Sequence, residues 1–499
     1  MPSYRTISIW ISVAITAISI ALQTETIHYN FGNTLSWTPG EVIYCETTTD
    51  VVTAVESAIA SGEKIKAFGT GWSWNTAIAG DGDTYVILSG GLSDINTAEL
   101  NTTDQTVVVN AGTQSFPLFM LLQTTSNPTL NLEAKGGCLT AAESQTVGGL
   151  LATNVHHAGI KTFYDVTEWI EVVTSTSGLV RAYRNDTLFR LTIGGKGRTG
   201  IIVRVKFQLA PRATYQDVET RYPVDPNSFA SYFEGYTTIH EGVPPNELIC
   251  MATKAPYTSA SYPCKLRMQV PSPNPRVLPP NFGDLSPLVA WVSPLDQLLD
   301  RTLPPTLYDY WYAILLTVVL PGKQPKTRNT FGEDLDVASS GSYTPHLKHQ
   351  ELEFFVPVDL MGEVGDYFDT LASQGYFPYT FQHTLWALRY VYGVESLTAP
   401  SGVLHDGTVV DVVAVNIDCY QRSMWGVFNS ELAGLMGMVS TKFPRMIRLH
   451  PGKYNAPISP DPESEGVKAL LLEWDPVGVF AREEFNEKYV TQGWRNLWF

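Results

Sequence analysis

Apolar and polar positions alternate in short blocks along most of the chain, and the period switches between about 2 and about 3.6 residues. Val42 to Tyr44 reads as a short strand. Thr47-Thr48-Thr49-Asp50 offers a polar cap to a helix in which Val51, Val55 and Ile59 share one face, and Ser61-Gly62 ends it. Lys64 to Phe68 reads as a strand that runs into Gly69-Thr70-Gly71. Tyr85 to Leu88 and Thr106 to Asn110 follow as strands, expected to be antiparallel. A second block, residues 146–210, holds Gly148-Gly149, His156-His157 and two β-rich runs, Ile170 to Thr174 and Ile201 to Leu209. A third β-rich region covers Glu351 to Pro357, Trp386 to Tyr392 and Val409 to Ile417. Between them, Pro271, Pro273, Pro275, Pro279, Pro280 and Pro287 mark a loop or linker. Tyr310 to Leu320 is apolar but too short to span a bilayer, so it reads as a core element, with a membrane-dipping segment as the minor alternative.

At the N-terminus the pattern changes. Ile7 to Leu22 is one apolar run, preceded by Arg5 and followed by Gln23-Thr24-Glu25. A basic flank before a run of that length is expected to be a secretory signal, with a retained signal anchor or a buried N-terminal element as alternatives. Asn101 and Asn185 stand in Asn-x-Thr triplets and would be glycan acceptors on that route. The five cysteines, Cys45, Cys138, Cys250, Cys264 and Cys419, leave at least one thiol unpaired. Cys250 and Cys264 are the best-spaced disulfide pair, and no Cys-x-x-Cys supports a zinc ribbon.

Charge narrows the partners. The 499 residues carry 33 Lys+Arg against 49 Asp+Glu, a formal charge of −16. No Lys/Arg cluster offers the basic stripe a nucleic acid would need. Charged residues make up 16%, below the roughly 25% of soluble domains, while 44% are hydrophobic, which excludes general disorder.

Several motifs fail their context. Gly195-Lys196-Gly197-Arg198-Thr199-Gly200 has dinucleotide-loop spacing, but a strand pattern, Ile201 to Phe207, follows where a helix is required. No P-loop, His-Glu-x-x-His or Gly-x-Ser-x-Gly is present. His346 and His349 have no acidic or Cys partner at ligand spacing, so no metal is expected.

Three glycine-dense segments remain, at Gly69 to Gly71, Gly136 to Gly149 and Gly194 to Gly200. Glycines allow backbone N–H groups to approach an anion, and loops this far apart suit a long cofactor with a central pyrophosphate. Glycine loops are also, more commonly, plain turns. Phe68-Gly69-Thr70-Gly71-Trp72-Ser73-Trp74-Asn75 resembles the Gly-x-Gly-His-Ser loop of vanillyl-alcohol-oxidase (PCMH-type) FAD proteins. Ser144 to Gly149, followed by Thr153-Asn154-Val155-His156-His157-Ala158-Gly159, resembles their second flavin loop, and Gly197 to Ile202 the stretch that meets the adenine half. Leu449-His450-Pro451-Gly452-Lys453 is similar to the Pro-His-Trp-Gly-Lys motif of aldonolactone oxidases, and Glu351-x-Glu353-Phe354-Phe355-Val356-Pro357 to a family strand.

The resemblance, to aldonolactone and alditol oxidases among these flavoproteins, implies an α+β chain. A signal or anchor would occupy residues 1–23 and a two-lobed FAD-binding domain residues 38–212. A substrate domain with an antiparallel sheet flanked by helices would cover 213–440, and a segment returning to the flavin 441–499. It implies FAD contacts at Gly69, Thr70, Gly71, Trp72, Ser73, Ser144, Thr146, Gly149, Asn154, His156, Gly159, Gly200, Ile202 and Lys453. It implies catalytic roles for Lys453, Arg389 and His450, with hydride passing from a substrate CH–OH to flavin N5 and on to O2 or another acceptor. Lys453 and Arg389 would hold the substrate oxygen and offset charge on the reduced flavin.

Two positions depart from the pattern. Trp72 replaces the histidine that links the flavin covalently, so FAD is expected to be non-covalent; Cys138 is the less favoured alternative link. Ala387 stands where the family strand has Glu in Glu-x-Arg, and Arg389 is kept. That removes an acceptor for substrate hydroxyls and puts the substrate class in doubt. A flavoprotein with altered, non-redox or cyclising chemistry is the second reading, and a cofactor-free carbohydrate-binding module the third.

Overall fold

The computed structural model describes residues 27–30, 34–115, 117–118, 121–122, 130–132, 145–156, 162–211, 214–221, 225, 228–241, 249–254, 265–271, 326–329, 350–399, 401–402, 408–419, 424–444, 447–453 and 465–481. The N-terminal apolar run, Cys138, Ser144, Gly159, Cys264, Tyr310 to Leu320, His346 and His349 lie outside them. Among the described residues no helix is long and apolar enough to cross a membrane, and Cys45 and Cys419 are buried thiols outside any disulfide.

The first lobe is a three-stranded sheet. β1 (Glu41–Cys45) leads into α1 (Thr48–Ser61), β2 (Ile65–Ala67) and β3 (Thr84–Leu88). Thr47 and Asp50 close a reciprocal capping box on α1, and Gly62 ends the helix in the left-handed conformation at φ 71°. β3 lies between β1 and β2 and is parallel to both, which corrects the expected antiparallel pairing. The connections allow this: α1 joins β1 to β2, and residues 68–83 join β2 to β3, both long enough for the crossover that parallel strands need. The second lobe is wholly antiparallel. Its strands are β4 (Glu99–Asn101), β5 (Thr106–Asn110), β6 (Thr167–Thr174), β7 (Gly178–Tyr183) and β8 (Ile201–Gln208), in the order β7-β6-β8-β5-β4. Between β5 and β6 lies the short helix α2 (Val147–Ala152), and between β7 and β8 lies α3 (Thr187–Thr192). Gly148 and Gly149, read from sequence as a loop, are in α2. A Cβ on Gly148 would lie 3.2 Å from the Ala111 Cβ, so the glycine lets α2 pack on the turn after β5.

The rest of the chain builds one eight-stranded antiparallel sheet. Its elements are β9 (Thr214–Arg221), α4 (Phe229–Glu241), β10 (Ile249–Lys254), β11 (Lys265–Pro271), β12 (Lys326–Asn329), β13 (Gln350–Pro357), α5 (Met361–Ser373), β14 (Leu385–Val391), β15 (Val412–Cys419), α6 (Trp425–Lys442) and β16 (Arg448–Leu449). The strand order is β12-β9-β11-β10-β14-β15-β13-β16. Every residue of β13 and β15 is buried, the mark of strands covered on both faces. One face, through Leu352, Phe354, Leu388, Val413 and Val415, packs on Phe229, Phe233, Phe368 and Leu432 of the helices. α4 and α5 approach closely because a Cβ on Gly365 would lie 2.5 Å from Ala230 Cα. The other face turns toward the first two lobes.

Two segments fasten the sheet to those lobes. Val394 and Ala399 insert into the core of the second lobe, and Ser396 Oγ donates to the Ile193 carbonyl at 2.9 Å. The chain after α7 (Glu465–Trp474) returns to the first lobe, where the Val479 carbonyl accepts from Ile65 N–H and Phe480 is fully buried. Asp475 holds that turn by accepting from Val479 and Phe480 N–H.

Candidate active site

The glycine loops and the inward sheet face meet at one place, and backbone bonds fix the meeting. His450 N–H donates to the Glu353 carbonyl at 2.9 Å, which ties the segment after β16 to β13. Trp74 N–H donates to the Gly452 carbonyl at 2.9 Å, and Ser73 Oγ donates to the same oxygen at 3.3 Å. A Cβ on Gly452 would lie 3.1 Å from Thr153 Cγ2, and one on Gly69 would lie 2.6 Å from Thr146 Oγ1. The loops carrying Gly69 to Asn75, Thr146 to His156 and His450 to Lys453 therefore touch in sequence around one point.

Side chains on the inward face come from alternate positions of three strands. Ala387, Asn416 and Glu353 are cross-strand partners in one row, and Arg389, Ala414 and Phe355 form the next. Glu353 is the hub. Its Oε1 lies 2.6 Å from His156 Nε2 and 3.9 Å from His450 Nε2, and its Oε2 lies 3.5 Å from the Arg389 guanidinium. Burial alone would raise the Glu353 carboxyl, but the charge and hydrogen bond of His156, with the Arg389 guanidinium, hold it well below the usual carboxylate range. The carboxylate therefore stays ionised. Arg389 is pushed in the opposite direction: burial lowers it, and Glu353, Glu351 and Asp418 outweigh that.

A second cluster adjoins the first. Lys453 Nζ pairs with Glu351, Asn416 Nδ2 donates to Glu351 Oε1 at 2.6 Å, and the Lys453 ammonium sits 4.8 Å from the centre of the Trp74 ring. Glu351 is directly opposite Asp418 on the neighbouring strand. Like charges opposite one another destabilise a sheet, so the lysine compensates this pair.

His156, Glu353 and His450 bring ligand-type atoms within 4.8 Å of one another, a spacing a metal site could share. The tautomer of His450 argues against a cation. Its Nδ1 accepts from Gly452 N–H at 2.9 Å, so in the neutral ring the proton sits on Nε2, the atom that would have to ligate. Burial pushes His450 down to about 3 from 6.5. It is a neutral N–H donor at ordinary pH. The consequence for stability has a definite sign. Below pH 6.5 the unfolded chain takes up a proton that the native His450 refuses, so stability falls as pH drops toward 3. The stabilising effect of the lowered Glu353 group is present above its unfolded value of about 4.5 and is lost only below it. The window from pH 6.5 to 4.5 thus reports His450, with an expected loss of about 2–3 kcal/mol. Urea unfolding across that window should show it, and His450→Asn should flatten the profile; an unchanged slope in the variant would refute the assignment.

The structure thus brings Lys453, Arg389, His450, Trp72, Ser73, Thr146, Asn154 and His156 into one region. Trp72 is half-buried and packs against the core beneath the large sheet. Gly200 is elsewhere in the second lobe. Its φ of 143° and a 2.3 Å approach of its missing Cβ to the Val173 carbonyl explain the glycine by backbone packing, and Ile202 lies in that lobe's core. Sequence reasoning missed Glu353 as the hub, with Glu351, Asn416 and Trp74 around it. It also took Ala387 as a lost acceptor. A buried carboxylate, Glu353, stands in the same cross-strand row, supplied by β13 two strands away. The paired acids of Glu351-x-Glu353 in an otherwise apolar strand were the available signal.

Residues 39–183 match the FAD binding domain family. The whole chain is similar in structure to a chitooligosaccharide oxidase, with 16% identity, a TM-score of 0.62, and coverage of 92% of this chain and 93% of that one. It is similar to the cholesterol oxidase from Brevibacterium sterolicum, with 15% identity, a TM-score of 0.62, and coverage of 93% and 96%. It is also similar to the xylooligosaccharide oxidase from Myceliophthora thermophila, with 14% identity, a TM-score of 0.60, and coverage of 91% and 93%. Among curated proteins, no sequence matches.

The residues fit the cofactor this domain binds. Asn154 Oδ1 and His156 Nδ1 are buried with no hydrogen-bond partner among the described residues. Asn154 also holds a left-handed φ of 44°, a strained conformation that concentrates at ligand sites. A ring edge of alternating N–H and C=O groups is the kind of partner such orphans take. FAD is the cofactor, and the loops at Gly69 to Ser73 and Thr146 to His156 are those that would hold it.

Proposed function

We propose that this protein, an FAD-binding chain with the fold of vanillyl-alcohol-oxidase-type flavoproteins, oxidises a CH–OH group of a small alcohol, a polyol, sugar lactone or specialised metabolite. The observation that carries the reading is Glu353. It is an ionised, buried carboxylate whose Oε2 has no hydrogen-bond partner among the described residues, placed where the FAD-binding loops meet the sheet. The likeness of the fold to chitooligosaccharide and cholesterol oxidases supports it.

When bound, FAD would supply a two-electron acceptor for the hydride of the carbinol carbon, with O2 (giving H2O2) or another acceptor to reoxidise it. The chain's own residues handle the oxygen and the proton. Glu353 Oε2 accepts the hydrogen bond of the substrate hydroxyl. As the C–H bond is lost, that hydroxyl becomes part of a protonated carbonyl, a far stronger acid than any carboxyl. A carboxylate of depressed basicity can therefore take its proton, and the O–H bond breaks as the carbonyl forms. Arg389 donates to the same substrate oxygen. His450, fixed as an Nε2–H donor, adds a neutral hydrogen bond. Burial of Glu353 and His156 keeps water from competing.

FAD is held without a covalent bond in this reading, because the indole of Trp72 cannot form the histidyl link. Acid precipitation of the yellow protein should leave the flavin in the supernatant; colour retained in the pellet would refute this. Secretory routing remains part of the proposal. Both Asn101 and Asn185 are exposed, as glycan acceptors must be. The oxidase reading itself is tested by anaerobic mixing with polyols, sugar lactones, oligosaccharides and aromatic alcohols. At least one should bleach the bound flavin, and bleaching by none would overturn it.

A further inference from the structure

We infer that the site selects substrates bearing a second hydroxyl on the carbon next to the one oxidised, and that Asn416 reads it. This deepens the oxidase reading and rests on it. Asn416 is 1% exposed and sits on β15 between Ala387 and Glu353 in one cross-strand row. Its amide orientation is fixed, because Nδ2 must face the Glu351 carboxylate to which it donates at 2.6 Å. That leaves Oδ1 as the other end, buried and with no hydrogen-bond partner among the described residues. The directly opposite residue, Glu353, has an Oε2 that likewise makes no hydrogen bond among the described residues and lies 3.5 Å from the Arg389 guanidinium. Two buried acceptors on facing residues, whose Cβ atoms are about 5 Å apart, call for two donors on neighbouring atoms.

A vicinal diol supplies them. One hydroxyl donates to Glu353 Oε2 and is the one oxidised; its neighbour donates to Asn416 Oδ1. Arg389, paired with Glu353, and Lys453, paired with Glu351, border the same row and keep it cationic toward hydroxyl oxygens. Ala387 completes the row with a single methyl group, so nothing longer than Cβ stands over Asn416 from that side. The small residue thus has a use: it leaves room where the related strand pattern would carry a carboxylate. A sterol or a simple benzylic alcohol offers one hydroxyl and leaves Asn416 Oδ1 buried and unpaired. Sites built to hydrogen-bond a substrate hydroxyl discriminate strongly against analogues lacking it.

The test uses the full-length FAD-loaded protein in anaerobic stopped flow, reading flavin bleaching. The probes are D-glucose against 2-deoxy-D-glucose, cyclohexane-1,2-diol against cyclohexanol, and cholesterol. The inference expects each diol to be more efficient than its single-hydroxyl or deoxy partner by about 100-fold or more, with cholesterol poor. Asn416→Leu should shrink that ratio at least about tenfold. Loss of the Glu351 contact in the variant affects both members of a pair and cancels in the ratio. The wild-type preference decides the matter even if the variant does not fold. Equal or better bleaching by the single-hydroxyl partners or cholesterol, or a ratio unchanged in Asn416→Leu, overturns the diol inference and leaves the oxidase reading standing. Absence of bound flavin, or no bleaching by any probe or by the wider alcohol panel, overturns both.

Discussion

Glu353→Gln is expected to slow flavin reduction by about 10²–10⁴-fold, the range a positioned proton acceptor supplies, while FAD stays bound. The amide keeps the volume and one oxygen, so the packing of β13 is preserved. It removes the charge that orients both Arg389 and His156, and it removes the proton acceptor. Its NH2 group must face either the Arg389 guanidinium, an obligate donor, or His156 Nε2, which accepts only if the imidazole proton moves to Nδ1. The loss should fall on the rate of reduction at saturating substrate more than on substrate affinity, since the proton moves only as the C–H bond breaks. Stopped-flow bleaching with flavin content measured in parallel checks this. A reduction rate within about tenfold of the parent, with full flavin content, would exclude Glu353 as the acceptor. Arg389→Gln supplies the contrast. It removes a donor to the substrate oxygen but leaves the carboxylate, so the hydroxyl can still be held and its proton still taken.

What was legible in the sequence follows the range of the interaction that wrote it. α1 is local: Thr47, Asp50 and Gly62 fix both of its ends, and the structure places them there. The strands at Thr106 to Asn110 and Ile201 onward are equally local in their alternation. The pairing of β3 is not, because its direction depends on a crossover that the strand's own residues do not encode. Gly148 and Gly149 misled for a related reason. Gly148 answers to Ala111, some 37 positions earlier, a contact visible only after folding, while a Cβ on Gly149 would meet the Thr146 hydroxyl. The site shows the same division. Lys453, Arg389, His450 and His156 were found through contiguous motifs. Glu353 escaped because its relation to Arg389 crosses β15 and joins strands separated by α5. Reading Glu-x-Arg within one strand reported an absence at Ala387. The same two charges, drawn from two strands, meet on the sheet face.

The cluster around Lys453 yields the other large effect. Lys453→Met is expected to destabilise the protein by about 3 kcal/mol, the lower end for breaking a buried pair because the lysine is one-fifth exposed. The reason is on the strands beneath it. Glu351 and Asp418 face one another across adjacent strands, both buried, and the ammonium compensates them. Removing the cation leaves two carboxylates in a water-poor interior; removing Glu351 leaves a lysine whose flexible stem can reach solvent. Glu351→Gln alone should therefore cost less, and the double variant should be more stable than Lys453→Met, with a coupling of about 1–3 kcal/mol. Urea unfolding of the four FAD-loaded proteins gives the cycle, and additive losses would show that the lysine is not there for Glu351. The same four proteins separate the two roles Lys453 could play in catalysis. If its charge is spent on Glu351, the double variant should regain much of the flavin-reduction rate lost in Lys453→Met, because net charge over the row is restored. If the ammonium instead acts on the substrate oxygen or the reduced flavin, the double variant stays as slow as the single one, and stability and rate part company in one set of measurements.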